Sequence, residues 1–453
     1  MFYLHAIDIT KGTEKTAPIE IMGSVNGNAP SAQCGESGTN GTLTFPDSPT
    51  QLHIQRSALA FLNGVVYIAF TPDDRYELSN GWLFGYSFTG SSFSPVATPL
   101  VTTPYGTGGG IWQSGNGPVI ANASVGNQIN PYLFLSTGNG TFDVATPRND
   151  FGSSVLRIDP NALTISDHFT PADTLTYNGL YGSGGRCSND VDLGSGGLMA
   201  FPDSFFTNHA RLLVTADKES KLYVIDADTL TGYNPSGDTI VQEVVTPPPP
   251  TQLEQGYWSN PAYWEWGSGG NTQRALYYSP EINHPTQTTA PLPLDVYVLA
   301  NSAPGPIPVN GTSGFGLPSE VTTTLFCNHG TTPSISANAS ASGTGILWAI
   351  EDSNAGNNQG IGANCSGSPA GAVLHAYNAT YSSSNNGVLP ELYSSSGLNG
   401  VQGGIPIYRP TKFQPPTIFK SRVYFRTMGQ PSDGTNGQVL VFGLCGTPSR
   451  CIQ

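Results

Sequence analysis

Residues 222–232 read LYVIDADTLTG. Four apolar or aromatic residues form a short strand, and an Asp then opens a polar segment that ends in Thr-Gly. This order is typical of a packed β-strand followed by a tight turn. It recurs in LHAIDITKG at 4–12, LFGYSFTG at 83–90, VLRIDPNAL at 155–163, VLHAYNATYS at 373–382 and VLVFGLCG at 439–446. A unit that repeats roughly every 50 to 70 residues indicates an array of equivalent β structures.

Two further strands precede most copies of this strand, joined by turn signals such as Asn63-Gly64. The pairs are SALAFLN with VVYIAFT, GPVIANAS with PYLFLSTG, GLMAFPD with ARLLVTAD, NPAYWEW with ALYYSPE, PSISANAS with GILWAIED, and PPTIFKS with RVYFRTM. We therefore predict an all-β fold, a β-propeller of seven blades or alternatively eight, as a single domain over 1–453. Full blades start near residues 56, 117, 197, 260, 333 and 415, and residues 1–22 supply a partial blade.

That N-terminal fragment has two interpretations. Either it completes the C-terminal blade, or it belongs to a blade whose first strands precede Met1, and we favour the second because Met1 stands immediately before a strand. The Pro-rich segments at 246–258 and 284–295 predict surface loops, because adjacent prolines favour extended backbone. A further loop is predicted at 352–371.

The composition agrees with many short strands and turns. The chain has 55 Gly and 37 Pro, and only 11% of its residues are charged. Its net charge of -14 makes nucleic acid an unfavourable partner, because phosphate binding requires clustered Lys and Arg. No apolar run is long enough for a membrane helix, so no membrane span is predicted. The oligomeric state is left open.

The cysteine pattern favours disulfides and hence an extracellular or periplasmic location. The count is even, no C-x-x-C spacing occurs, and only Cys445 with Cys451 is favoured as a pair. The six residues are Cys34, Cys187, Cys327, Cys365, Cys445 and Cys451.

At LYVIDADTLTG, preceded by ADKES at 216–220, the chain resembles the repeat of the pyrroloquinoline-quinone (PQQ) propellers, and LHAIDITKG is a second copy. The segments RSALAFLNGVVYIAF, GGGIWQSGNGP, STGNGTFD, DVDLGSGG and TPSISANAS resemble secreted bacterial quinoprotein-like propellers of undefined activity. The resemblance covers most of the chain and implies the fold. It implies PQQ with calcium as a cofactor, with Lys218 against the quinone and Asp190 or Asp192 as the catalytic or calcium-binding carboxylate.

Two features of quinoprotein alcohol dehydrogenases are absent from this sequence. No Trp follows the turns after Asp8 and Asp226 where that family places a docking Trp, and there is no vicinal cysteine pair. If PQQ and calcium do not bind, no cofactor is expected.

In a propeller, the residues before each innermost strand converge on one mouth of the central channel. Those positions hold His53, Gln55 and Arg56; Trp112 and Gln113; Asp190, Asp192 and Ser195; Trp258 and Ser259; His329 and Thr331; Lys412 and Gln414. This mixture suits a polar, ring-shaped ligand held by stacking and hydrogen bonds. A quinone or a carbohydrate has that chemistry.

The candidate roles divide into three groups. The catalytic candidates are Asp192, His53 and His329; the cofactor-binding candidates are Lys218, Arg56, Trp112, Gln113, Trp258 and Lys412; the metal-binding candidates are Asp190 and Asp192. Structural roles compete with each of these, since a lone His is usually a satisfied structural residue and an Asp in a Gly-rich turn often accepts backbone N–H groups.

Two functions follow from these candidates. One is a secreted or periplasmic propeller that binds a small polar ligand at the channel mouth and acts as a quinone-dependent oxidoreductase on an alcohol or a sugar. The alternative is a non-catalytic propeller that recognises a protein or a polysaccharide.

Overall fold

The computed structural model describes residues 1–28, 40–46, 53–72, 79–144, 149–174, 191–218, 221–245, 255–282, 291–302, 305–309, 316–326, 330–352, 372–395, 413–427 and 437–443. Nearly all regular structure in these ranges is β-strand, which confirms the all-β prediction. The helical segments described are short 3-10 turns at Gln113–Gly115, Gly269–Asn271 and Ser383–Asn385. None of the described helices has the length and apolar character to cross a membrane.

The strands fall into two compact units, of which the first comprises Met1–Lys218 and Leu222–Glu243. It begins with paired strands: β1 (Tyr3–Leu4) with β4 (Ile19–Glu20), β2 (Ile7–Asp8) with β3 (Thr13–Glu14), and β5 (Gly23–Asn28) with β6 (Asn40–Phe45).

Three larger sheets, named A, B and C, follow, and all their residues except Lys221, Val244 and Val245 belong to the first unit. Sheet A has β7 (His53–Ile54), β8 (Ala60–Leu62), β9 (Val65–Pro72), β10 (Trp82–Phe88), β11 (Phe93–Pro95) and β12 (Leu100–Val101). Sheet B has β13 (Val119–Val125), β14 (Gln128–Ser136), β17 (Val155–Ile158), β18 (Ile165–Thr170) and β22 (Gly232–Tyr233), beside the pair β15 (Phe142–Asp143) and β16 (Asp150–Phe151). Sheet C has β19 (Leu198–Ala200), β20 (Leu212–Ala216), β21 (Lys221–Asp226) and β23 (Gln242–Val245).

The second unit comprises Glu219–Lys221 and Val244–Gln453 and contains sheets D, E and F. Sheet D has β25 (Ala262–Trp266), β26 (Gln273–Tyr278), β28 (Leu292–Val298) and β29 (Glu320–Phe326), beside the pair β24 (Gln255–Gly256) and β27 (Glu281–Ile282). Sheet E has β30 (Ser334–Ser336), β31 (Ile346–Asp352), β32 (Ala372–Asn378) and β33 (Glu391–Ser394). Sheet F has β34 (Thr417–Phe419), β35 (Arg422–Arg426) and β36 (Val439–Gly443).

Every strand pair predicted from the sequence lies antiparallel in the structure. The pairs are β8 with β9, β13 with β14, β19 with β20, β25 with β26, β30 with β31 and β34 with β35. The repeated strand type then follows as the third strand, for example β10 on β9 and β32 on β31. The fourth strands, such as β18 and β33, were missed because they are partly exposed.

Consecutive sheets of each unit stack face to face through shared apolar clusters. Sheets A and B share one cluster, B and C a second, D and E a third, and E and F a fourth. Each cluster takes large side chains from both sheets: Leu83 with Leu135, Phe134 with Tyr223, Trp264 with Tyr377, and Leu374 with Phe425. A sheet that is covered on both faces needs apolar residues on both, which explains the nearly continuous apolar runs of the central strands.

The Asp of the repeated strand type has a structural role in the turns. Asp8, Asp159, Asp226 and Asn378 each accept a hydrogen bond at Oδ1 from the backbone N–H two residues later, at 2.8 to 3.0 Å. This is the Asx turn, in which a short polar side chain replaces a backbone acceptor and reverses the chain. The Asp or Asn of the repeated strand type is therefore explained by a turn that follows this strand in several sheets.

The prediction of a surface loop at 284–295 is wrong for its described part. Residues 292–295 belong to β28, where Leu294 is fully buried and Pro293 pairs with Leu325. Proline lacks an N–H, and the structure accommodates Pro293 at a register shift near the start of the strand. The predicted loop at 246–258 is partly corrected too, since Tyr257 is fully buried.

Candidate functional site

Four predicted site residues converge in the first unit from the loops that flank the strands of sheets A, B and C. Arg56 precedes β8, Trp112 precedes β13, Asp192 precedes β19, and Lys218 lies just after the end of β20. We call Arg56, Trp112, Asp192 and Lys218 the cation–indole cluster. The topology brings them together although 162 residues separate the first from the last.

A buried ion pair forms the inner end of this cluster. Lys218 Nζ lies 2.6 Å from Asp192 Oδ2, and the side chains are only 3% and 7% exposed. Asp192 Oδ1 also accepts a hydrogen bond of 2.5 Å from the backbone N–H of Asn139, in the loop that follows β14. The carboxylate therefore joins the end of β14 to the end of β20, which is the structural role for Asp in a Gly-rich turn that the sequence left open.

Trp112 forms the outer end of the cluster, and both Trp112 and Asp192 pack closely against Gly138. A Cβ built on Gly138 would lie 2.4 Å from Asp192 Oδ1 and 2.7 Å from Trp112 Nε1, so this close approach requires glycine. The Arg56 guanidinium lies 5.1 Å from the centroid of the Trp112 ring, within range of a cation–π interaction. Both Arg56 and Trp112 are half-buried, so solvent reaches this end.

Both ends of the Gln113 amide are hydrogen-bonded to the backbone, which favours a structural role over the predicted ligand contact. Its Nε2 donates to Gly117 O at 2.8 Å, and its Oε1 accepts from the backbone N–H of Ser136 at 3.1 Å. The side chain is fully buried, and a φ of +55° places it in the left-handed region that non-glycine residues seldom adopt. Gln113 thereby fixes the backbone that presents Trp112.

His53 is held neutral in the core of the first unit. Its Nε2 lies 2.5 Å from Ser79 Oγ, and its ring packs 4.8 Å from that of Phe45. Burial lowers the pKa of His53 to about 4. A histidine with that pKa is a poor match for proton transfer near neutral pH, which favours the structural role over the catalytic one.

We expect His53 to destabilise the protein as the pH falls. Its folded pKa of about 4 lies below the value near 6.5 in an unfolded chain, so stability is complete above 6.5 and is lost as the pH falls toward 4. The difference amounts to about 3 kcal/mol. Urea unfolding of His53→Gln should remove this slope between pH 6.5 and 4, while His5→Gln, at an exposed position, should keep it. Equal slopes in the wild-type chain and His53→Gln would contradict the assignment.

The remaining candidate residues divide into one that the structure describes and three that it does not. Trp258 is half-buried before β25 in the second unit, where the neighbouring Ser259 Oγ donates to Ser279 O at 3.1 Å. Asp190, His329 and Lys412 lie outside the described residues, as do the loop at 353–371 and all six cysteines. The disulfide prediction and the roles of these residues remain predictions.

The described residues do not fit PQQ with calcium. Calcium takes six to eight oxygen ligands, but both Asp192 oxygens are engaged and an ammonium group lies 2.6 Å away, where it would repel a dication. Within the described ranges no group of three or more His, Cys, Asp or Glu side chains is arranged to hold a metal. Lys218 is buried against its carboxylate and is not presented to a planar quinone.

Two buried constellations in the second unit were missed by sequence reasoning. Asp295 accepts a hydrogen bond of 3.2 Å from Tyr297 Oη, which lies 3.3 Å from Tyr257 Oη. His375 lies between Glu351 and Glu391. Asp295 was hidden in the segment predicted as a loop, and His375 lies inside a repeat copy between apolar neighbours, Leu374 and Ala376. The only sequence signal was a charged residue within a strand pattern.

No protein-family model matches the chain, and no curated protein matches it in sequence. Among solved structures it is similar to the quinohemoprotein alcohol dehydrogenase ADHIIG from Pseudomonas putida HK5, at 12% identity and a TM-score of 0.38, over 88% of this chain and 59% of that one. It is similar to α-L-arabinanase from Penicillium chrysogenum, at 12% identity and a TM-score of 0.38, over 93% and 98%. It is also similar to BamB from Moraxella catarrhalis, at 9% identity and a TM-score of 0.31, over 87% and 99%. All three are β-propellers.

Proposed function

We propose that the protein is a quinoprotein-like β-propeller of seven or eight blades, located in the periplasm or outside the cell, that binds a carbohydrate at the cation–indole cluster. The repeated antiparallel sheets and their ordered face-to-face stacking within each unit support the propeller. The proposed ligand site rests on one observation, the convergence of four side chains from four separate loops: Arg56, Trp112, Asp192 and Lys218.

The chemistry of the outer end favours a sugar. An indole face stacks on the apolar C–H face of a sugar ring, while polar groups at its edge bind the hydroxyl groups. Within the described residues no acceptor contacts the Trp112 indole N–H, which leaves that donor available to a ligand. The positive charge of Arg56 lies beside the same ring, so a ligand stacked there would also lie near a cation.

The inner end of the cluster is a rigid support in this proposal. Lys218 and Asp192 are engaged with each other and nearly inaccessible, so they position the Gly138 backbone against Trp112. The cluster accordingly binds its ligand without transferring electrons.

Titration with individual sugars tests this function. We expect at least one member of a panel of neutral monosaccharides and uronic acids to bind saturably in calorimetry and to change tryptophan fluorescence. Trp112→Ala and Arg56→Ala should each weaken that binding about tenfold, the loss expected for a stacking or cation–π contact of 1 to 2 kcal/mol.

The matched control is Lys420→Ala, which removes an exposed cation that lies 5.3 Å from the Phe419 ring centroid in the second unit. Its sugar affinity should equal that of the unsubstituted chain. Binding to no sugar in the panel, or equal binding by Trp112→Ala, would refute the proposal. PQQ with calcium chloride is the parallel probe, and saturable PQQ binding with dye reduction in the presence of an alcohol would show an oxidoreductase instead.

A further inference from the structure

A histidine in sheet E is bracketed by two carboxylates. His375 Nδ1 lies 2.6 Å from Glu391 Oε1, and His375 Nε2 lies 2.9 Å from Glu351 Oε2. When both glutamates are ionised, their oxygens only accept hydrogen bonds, so both ring nitrogens donate, and only the imidazolium carries two N–H groups. The side chain of His375 is only 6% exposed, so the positive charge is held inside the fold by these two partners.

A β-bulge places the second carboxylate. In the pairing of β32 with β33, His375 lies opposite Ser394 and Ala376 opposite Tyr393, but Tyr377 lies opposite Glu391 and not Leu392. The extra residue, Leu392, is 58% exposed. Without the bulge, Leu392 would take the position opposite Tyr377, so the bulge turns Glu391 toward the histidine, a known use of bulges.

We propose that His375 is an alkaline switch: as an imidazolium clamped between Glu351 and Glu391 it holds the edge strand β33 on sheet E, and loss of its proton releases that strand. The charged groups that face it in the described residues are Glu351 from β31 and Glu391 from β33, while β29 contributes the Phe326 ring at 6.2 Å. Tyr377 is the next residue of β32 on the same face as His375, and the two rings stack with their centroids 6.0 Å apart.

The direction of the switch follows from its electrostatics. Burial alone would lower the pKa of His375, but the hydrogen bonds and charges of Glu351 and Glu391 outweigh burial and raise the pKa above its ordinary value. The stabilisation is therefore fully present below the pKa of an unfolded histidine, about 6.5, and is lost as the pH rises through the folded pKa.

Nuclear magnetic resonance of the histidine Cε1–H groups in the intact chain tests the protonation state directly. The resonance that disappears in His375→Gln identifies the residue. We expect it to titrate at a higher pH than the histidine of an unfolded peptide, and titration at a lower pH would overturn the proposal. This measurement uses the unsubstituted protein, so it does not depend on how well a variant folds.

Substitution of the two carboxylates tests whether Glu351 and Glu391 themselves, and not the other surroundings of His375, raise the pKa of the histidine. Glu351→Gln and Glu391→Gln should each lower the titration midpoint of His375, and the double variant should bring it below that of the unfolded peptide, because burial alone then acts. Glu265→Gln, which removes a carboxylate in sheet D, should leave it unchanged. A midpoint insensitive to Glu391→Gln would refute the clamp.

Amide hydrogen exchange tests the release of β33. After correction for intrinsic rates, the amides of β33 and their partners in β32 should lose protection as the pH passes the measured midpoint, while those between β25 and β26 should keep it. Retained protection in β33 above that midpoint would overturn the switch even if His375 is an imidazolium below it.

Discussion

Lys218→Met alone, or Asp192→Asn alone, should lower the free energy of unfolding by roughly 3–5 kcal/mol, the cost of leaving one member of a buried ion pair without its partner. Both side chains are more than nine-tenths buried, so water cannot replace the lost partner. Asp192→Asn keeps an oxygen that can accept from the Asn139 N–H, and its cost therefore reports on the loss of the negative charge beside Lys218. Urea unfolding followed by fluorescence measures both variants.

The double variant Lys218→Met with Asp192→Asn removes both charges and tests the pair as a unit. It should cost less than the sum of the single variants, because the two changes share one interaction. Lys11→Met, at an exposed lysine 3.9 Å from Asp8, is the control and should change stability by less than about 1 kcal/mol. Additive effects, or single-variant losses as small as that of the control, would show that the pair is hydrated.

This pair shows how far the sequence could predict the site. Topology alone placed Asp192 near Trp112, because both precede an innermost strand, and the family resemblance marked Lys218. The contact between Lys218 and Asp192 was not predicted, since Lys218 follows a middle strand and does not precede an innermost one. Residues before strands can be located from periodicity, whereas the direction in which a long side chain folds back depends on packing.

The fold was easier to predict than its edges. Strand pairs such as β13 with β14 carry a turn and two apolar runs within a short stretch, so local pattern determines them. The strand β28 was missed because Pro291 and Pro293 favour a loop, whereas the packing of Leu294 and Val296 in the core of sheets D and E overrides that preference. The bulge at Leu392 has no local sequence signal, so Glu391 was not recognised as a partner of His375.

Asp295→Asn should remove a pH-dependent loss of stability in the second unit that reaches about 4 kcal/mol. Burial raises the pKa of Asp295 to about 7, against its ordinary value of 3.8, while the hydrogen bond from Tyr297 acts in the opposite direction. Below pH 3.8 the carboxyl is protonated in both states. Between 3.8 and 7 the unfolded chain releases the proton and the folded chain keeps it, so stability falls as the pH rises.

The informative quantity is the difference in unfolding free energy between variant and wild-type chain at pH 8, minus the same difference at pH 4. An asparagine amide adds a donor that this buried position must satisfy, but that cost is present at both pH values and cancels. The expected result is about 4 kcal/mol in favour of the variant at pH 8. Asp203→Asn, at an exposed carboxylate, is the control and should give a value near zero. A value near zero for Asp295→Asn as well would mean that the Tyr297 hydrogen bond and solvent stabilise the carboxylate as well as water does in the unfolded chain.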